Sequence, residues 1–297
     1  MASATQDKAR GLLTGAYDMH LHAAPDGYGR NVDYIEAAED AADLNMKAIV
    51  FKDHHFPTVG LARMTNKIVP EIDSMGSITI SNSIGGFNAE AVREAVKRGA
   101  RAVWFPTLDS PRFVGTKRHS KHLDFAHVER SAGPGYPPLH AITPEGEVLK
   151  EVVDVLSIVR ESGVLLGLAY MSRAEAVPVI KKAQEMGIDR IVFSHPQSVI
   201  GLPLSHQTEL VNMGVYLAFN YLNCYVNHGD LPVEDLAEMI RSAGDYAVLS
   251  SSGGQASLPT PAELMLKGTE ALLNEGIQEA QLKKMLQTNP AYLLRDG

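Results

Sequence analysis

Short apolar runs alternate with stretches of helical period along nearly the whole chain. The runs cover residues 16–21, 48–51, 78–80, 102–105, 164–168, 191–193, 215–219 and 247–249. They are short, rich in Val, Ile, Leu and Phe, and mostly spaced by roughly thirty residues, the length of a βα unit. Helix punctuation falls between them. Asp33 stands three before Glu36, Asn88 precedes the Ala91, Val92, Ala95, Val96 stripe, Ser172 stands three before Glu175, and Thr260-Pro261 precedes Glu263. These are N-cap, capping-box and Pro-at-N1 signals. Gly99, Gly163, Gly187 and Gly214 follow helical stretches, where a left-handed residue closes a helix.

Strands that are almost continuously apolar are covered on both faces, as in a parallel sheet flanked by helices. Eight such βα units predict an α/β fold, a (β/α)8 TIM-like barrel formed as one domain by residues 1–297. An open doubly wound sheet finds less support, because no Gly-x-Gly-x-x-Gly turn is present. Residues 109–143 break the rhythm after the fourth run. This insertion is rich in Gly, Pro, His and basic residues, as a substrate lid or interface arm would be. Its Arg112, Lys117, Arg118, Lys121 and Arg130 are read first as solvated charges and second as an anion site.

Composition narrows the class further. A chain of 297 residues with 45% hydrophobic content can bury a large core. Its single cysteine, Cys224, rules out an internal disulfide and reads as a packed thiol. No run has the apolar length of a membrane span, so a soluble cytoplasmic protein is expected. The formal charge of -8 is dispersed, which argues against nucleic acid as a partner without identifying a substrate; a small-molecule substrate is expected.

In a barrel of this kind, chemistry collects at the C-terminal ends of the strands. There the first run supplies His20 and His22, the second Lys52, Asp53, His54 and His55, and the sixth Ser194-His195-Pro196. Alternation puts His20 and His22 on one face, and Lys52 with His54 on another shared face, here taken as inward. A lone histidine is more often a hydrogen-bonded core residue, but four at three strand ends favour a metal centre. Asn220, Asn223, His228 and Gln255 follow the seventh and eighth runs as polar lining. His119, His122 and His127 read as solvated, and His140 as a ligand that a lid could deliver.

Taken together, Asp18-Met19-His20-Leu21-His22 and the closing Asn289-Pro290-Ala291-Tyr292-Leu293-Leu294 resemble the amidohydrolase superfamily across nearly the whole chain. Lys52-Asp53-His54 followed by Pro57-Thr58 is similar to a poorly characterised branch with Lys-x-His on the second strand. The resemblance implies a barrel holding one or two zinc-like ions, whose hydroxide attacks a carbonyl. For this chain it suggests one divalent ion, zinc ahead of manganese, on His20, His22, His54 and His195. Four imidazoles would saturate a tetrahedral zinc, so one must stand aside for water to enter.

Two departures from the family pattern bear on chemistry. Tyr170 stands where a histidine is usual, and Ser252 where an aspartate normally takes the proton from the attacking water. A serine is no general base at neutral pH. Lys52 is the candidate replacement, as a base of lowered pKa, a carboxylated metal bridge or an ammonium that pairs with substrate, against a plain salt bridge to Asp18 or Asp53. Lys52 and Ser252 are thus the catalytic candidates, with Tyr170, Asn220 and Gln255 on the substrate. The leading expectation is hydrolysis of a small amide, cyclic imide, ester or lactone. Behind it stand a metal-independent lactonase, decarboxylase or lyase, and a degenerate subunit paired with an active homologue. Family habit adds a homo-oligomer.

Overall fold

A computed structural model of the chain describes residues 4–117, 137–197, 201–225 and 231–295. Its strands are β1 (Tyr17–Leu21), β2 (Ala48–Phe51), β3 (Asp73–Met75), β4 (Ser77–Thr79), β5 (Ala102–Trp104), β6 (Leu165–Ala169), β7 (Ile191–Ser194), β8 (Tyr216–Asn220) and β9 (Ala247–Ser250). All pair in parallel, in the orders β1-β2-β3 and β4-β5-β6-β7-β8-β9. Only Gly76 separates β3 from β4, so the third run is one extended segment broken at a glycine. A Cβ at Gly76 would strike the backbone of Val59. The eight runs are therefore present in sequence order.

The helices are α1 (Ala4–Leu13), α2 (Tyr34–Asp43), α3 (Val59–Ile68), α4 (Ala89–Lys97), α5 (Pro111–Lys117) and α6 (Lys150–Ser162). They continue with α7 (Arg173–Glu185), α8 (Leu204–Asn212), α9 (Val233–Ala243), α10 (Pro261–Asn274), α11 (Glu279–Lys283) and α12 (Asn289–Leu294). The side chains of Asp33, Asn88, Ser172 and Thr260 cap α2, α4, α7 and α10, with full capping boxes at Asp33 and Thr260. Gly99, Gly163, Gly187 and Gly214 all have positive φ where the helices end. The chain's alternating helices and parallel strands are those of a TIM-like (β/α)8 fold.

Side chains sort into two layers. Phe51, Val103, Leu168 and Phe193 belong to the large cluster beneath the helices, whereas Met19, Val50, Trp104, Val192 and Val248 form a separate cluster between the strands. Leu293 and Leu294 of α12 belong to this inner cluster, and the Asn289 amide anchors α12 by donating to the carbonyls of Asp245 and Ala247. Trp104 is the largest inner residue. Its register partner is Gly167, where a Cβ would collide with the indole.

Two backbone hydrogen bonds join the first strand to the segment after the last. Ser252 N donates to His20 O at 2.8 Å, and His22 N donates to Gly253 O at 2.9 Å. Gly254, at φ +115°, passes so close to the His22 carbonyl that no side chain fits. The Gly253-Gly254 pair thus serves a close strand approach.

The inserted segment begins with the short helix α5 rather than open loop. Its base is fastened by Leu139 N donating to Asp109 O at 2.8 Å and Asn82 N to the Asp109 carboxylate at 2.8 Å. Arg118, Lys121, Arg130, His119, His122, His127 and His228 lie outside the described residues, as does the side chain of Lys117. No helix among the described residues is long and apolar enough to cross a membrane.

Candidate active site at the strand ends

The pairing of β1 with β2 shifts register between Asp18 and Leu21. An irregularity of this kind re-aims the side chains beyond it. Tyr17 and Met19 face the inner cluster and Leu21 the outer one, while His20 and His22 both turn inward, the His20 ring lying 5.5 Å from that of Trp104. The Asp18 carboxylate holds this kink. It accepts from His20 N and Ser251 N, each at 3.1 Å, and from the Ser251 hydroxyl. Burial nevertheless pushes its pKa up to about 6.

The Nε2 atoms of His20 and His22 stand 3.2 Å apart. Lys52 Nζ lies 3.3 Å from His20 Nε2 and 5.4 Å from the centre of the Trp104 ring. The His54 ring stacks on His22 at 4.7 Å, and its Nδ1 is 2.8 Å from the Thr107 hydroxyl. His195 meets His20 edge-on at 5.1 Å and Tyr170 face-on at 5.1 Å. The Asn220 amide donates to its Nδ1 at 3.0 Å. The four histidines, Lys52, Tyr170 and Asn220 thus gather above Trp104.

Burial keeps the four imidazoles of this cluster neutral. Burial, then the charge of Lys52 or Arg30, holds His20, His22 and His54 well below the usual imidazole range, and His195 is pushed down to about 3. Burial also brings Lys52 down to about 7, with Arg30 adding to the shift and Asp53 and Asp26 opposing it. The salt-bridge reading of Lys52 is not realised among the described residues. Asp18 is spent on β1, and Asp53 accepts from the backbone of His55 and Phe56.

Three residues here occupy the left-handed region without being glycine: Tyr170 at φ +50°, His195 at +58° and Ser252 at +51°. Each follows a strand, and strained backbone of this kind clusters at functional sites. Ser252 is buried and backbone-bonded to His20, and its carbonyl accepts from the Gln255 side chain at 2.9 Å. Gln255 also forms a backbone bridge with Arg30. Tyr170 packs against Phe113 and Leu108 as an apolar wall, its hydroxyl pKa raised by burial.

Two site residues had weak sequence signals. Trp104 was visible only as the lone tryptophan at a strand end. Arg30 comes from the loop after β1, where its guanidinium is paired with Asp26 at 2.6 Å and lies over Tyr28. His140, expected as a lid-borne ligand, sits away from the cluster with Nδ1 3.9 Å from Glu175. Its neighbours Arg112, Ile142 and Glu175 line a cavity of about 860 Å³ beside the insertion.

No three His, Cys, Asp or Glu side chains among the described residues are placed to hold one metal ion together. The His20–His22 pair matches metal-ligand spacing, since two nitrogens on a tetrahedral zinc lie about 3.3 Å apart. Both imidazoles are buried and neutral, the state a metal ligand needs.

The fold is that of amidohydrolase and phosphotriesterase-like structures. A lactonase from Listeria monocytogenes aligns with TM-score 0.59 at 15% identity, over 95% of each chain. A probable dipeptidase from Pseudomonas aeruginosa aligns with TM-score 0.58 at 12% identity, over 98% of this chain and 97% of that one. A phosphotriesterase homology protein from Escherichia coli, complexed with phosphate in its active site, gives 0.52 at 13%, over 95% and 99%. The amidohydrolase resemblance of the sequence therefore stands at the level of the fold. The chain belongs to a family of unknown function, DUF6282, whose model matches residues 15–218. No curated protein matches it in sequence.

Proposed function

We propose that this protein is a metal-dependent hydrolase of a small amide, cyclic imide, ester or lactone, working with one divalent ion, zinc ahead of manganese. The observation that carries the reading is the 3.2 Å approach of two buried, neutral Nε2 atoms at a strand end. His20 and His22 would hold the ion, and His54, its ring stacked on His22 and tethered through Nδ1, would be a further donor. Such an ion supplies Lewis acidity and a nucleophilic water near neutral pH.

The remaining residues divide the work. Asn220 donates to Nδ1 of His195, which places that ring's proton on Nε2. His195 would then act as a hydrogen-bond donor to a developing oxyanion rather than as a metal ligand. Lys52, brought to about 7, holds or releases a proton at Nζ and takes over from the aspartate that Ser252 replaces. Trp104 excludes water from below, and Tyr170 with Phe113 walls the apolar side of the substrate.

The absence of a three-residue ligand set among the described residues favours a second reading, a metal-independent lactonase, decarboxylase or lyase using Lys52 and Tyr170. Metal analysis of the purified protein, with an amide and lactone screen before and after chelation, separates the two. About one zinc or manganese per chain, lost in His20→Ala and His22→Ala variants that keep their circular dichroism, supports the first. Turnover that survives complete removal of metal overturns it in favour of the second.

A further inference from the structure

On the outer face of α3, Leu61, Met64 and Ile68 are 41%, 55% and 55% exposed, and Phe56, on the loop entering the helix, is 63% exposed. The three helical positions follow the i, i+3, i+7 spacing of a single apolar stripe. Arg63 donates to the carbonyl of Arg98 just past α4, which fixes the flank of α3 facing α4. At about 100° per residue, Leu61 and Ile68 lie roughly 140–160° around the helix from Arg63. Their flank therefore borders α2, which packs beside α3, and the same 100° step from the buried Tyr34, Ala38 and Ala41 puts half-buried Ile35 and Ala42 on the α3 side of α2, at the groove between the two helices.

The charges beside this groove are sorted by helix. The exposed positions of α2 carry Glu36, Glu39 and Asp43 with no basic residue, and those of α3 carry Arg63 and Lys67 with no acidic one. We propose that the groove is a homodimer interface, in which a second copy of this chain packs about a two-fold axis running along it. That axis lays each α2 over the other copy's α3, so acidic edges meet basic edges while the apolar stripes meet at the centre. A two-fold across the groove would instead stack α2 on α2, acid against acid. The four exposed apolar side chains offer on the order of 400 Å² per copy, about half of what a stable dimer buries, and the charged rim supplies the rest. The interface is isologous.

Sedimentation velocity of the full chain over a micromolar concentration range tests this. The wild type is expected to be dimeric. Met64→Glu, at an exposed position that leaves folding intact by circular dichroism, should yield monomer. Glu39→Lys should weaken the dimer at least tenfold, and adding Lys67→Glu to the same chain should restore it. A monomeric wild type, a dimer indifferent to Met64→Glu, or a monomer that floats with anionic vesicles would each overturn the proposal.

Discussion

Lys52 Nζ sits 3.3 Å from His20 Nε2, over the Trp104 indole, and makes no ion pair among the described residues. Burial disfavours the charged form of an amine in this setting, and it brings the Lys52 pKa from 10.5 to about 7.

The sign of the resulting pH dependence follows from proton counting. Below pH 7 the amine is charged in both folded and unfolded chains, and the cost of burying it is fully expressed. Between pH 7 and about 10.5 the unfolded chain binds more protons than the folded one, so stability rises with pH. A tenfold change in proton affinity corresponds to about 1.4 kcal/mol, so the buried charge costs on the order of a few kcal/mol. Urea denaturation in the presence of chelator should therefore show Lys52→Met more stable than wild type at pH 6.5, with the gap closing by pH 10. Parallel curves would show that Lys52 keeps its ordinary proton affinity.

Gly167 and Trp104 form a second coupled pair. A methyl group at position 167 drives into the indole, and overpacking of this sort costs about 1–3 kcal/mol or more. Gly167→Ala should lower the urea midpoint. Trp104→Leu alone opens a cavity and is destabilising too, but the double variant should lose clearly less than the sum of the two. Additive losses would place the indole elsewhere.

What could be read from the sequence follows its physical period. The strand positions, the caps at Asp33, Asn88, Ser172 and Thr260, and the inward pairing of Lys52 with His54 rest on local alternation or local hydrogen bonds. Features that depend on two distant segments were hidden. The register shift after Asp18 is held by Ser251, across 233 residues of sequence, and the loop carrying Arg30 is bridged to Gln255 after the last strand. The Asn220 contact with Nδ1 of His195 is likewise tertiary and joins the ends of two different strands.

Cys224 offers a test of the β8 end that needs no substrate. Burial, then the charges of Asp235 and Glu234, pushes its thiol up to about 12 from 9.0. Only the thiolate reacts, so at pH 8 it should be alkylated by iodoacetamide roughly a thousandfold more slowly than in the urea-unfolded chain. Mass spectrometry reads the rate. Labelling as fast as in urea would contradict a packed thiol at this position.

Ser252 is where proton-transfer chemistry is most directly restored. Its amide is pinned to the His20 carbonyl, and its φ of +51° is one that aspartate tolerates better than serine does. Ser252→Asp should therefore add no backbone strain and set a carboxylate beside the end of β1. On any ester, lactone or amide that the wild type turns over, a positioned general base is worth roughly 10²- to 10⁴-fold in rate. If Lys52 carries the proton in the wild type, Lys52→Met should abolish most of the activity, and Ser252→Asp in that background should recover it. Recovery would show that the two groups serve one step from different strands. A Lys52→Met variant that Ser252→Asp fails to rescue would mean that the lysine binds substrate or metal instead, and that the proton leaves by another route.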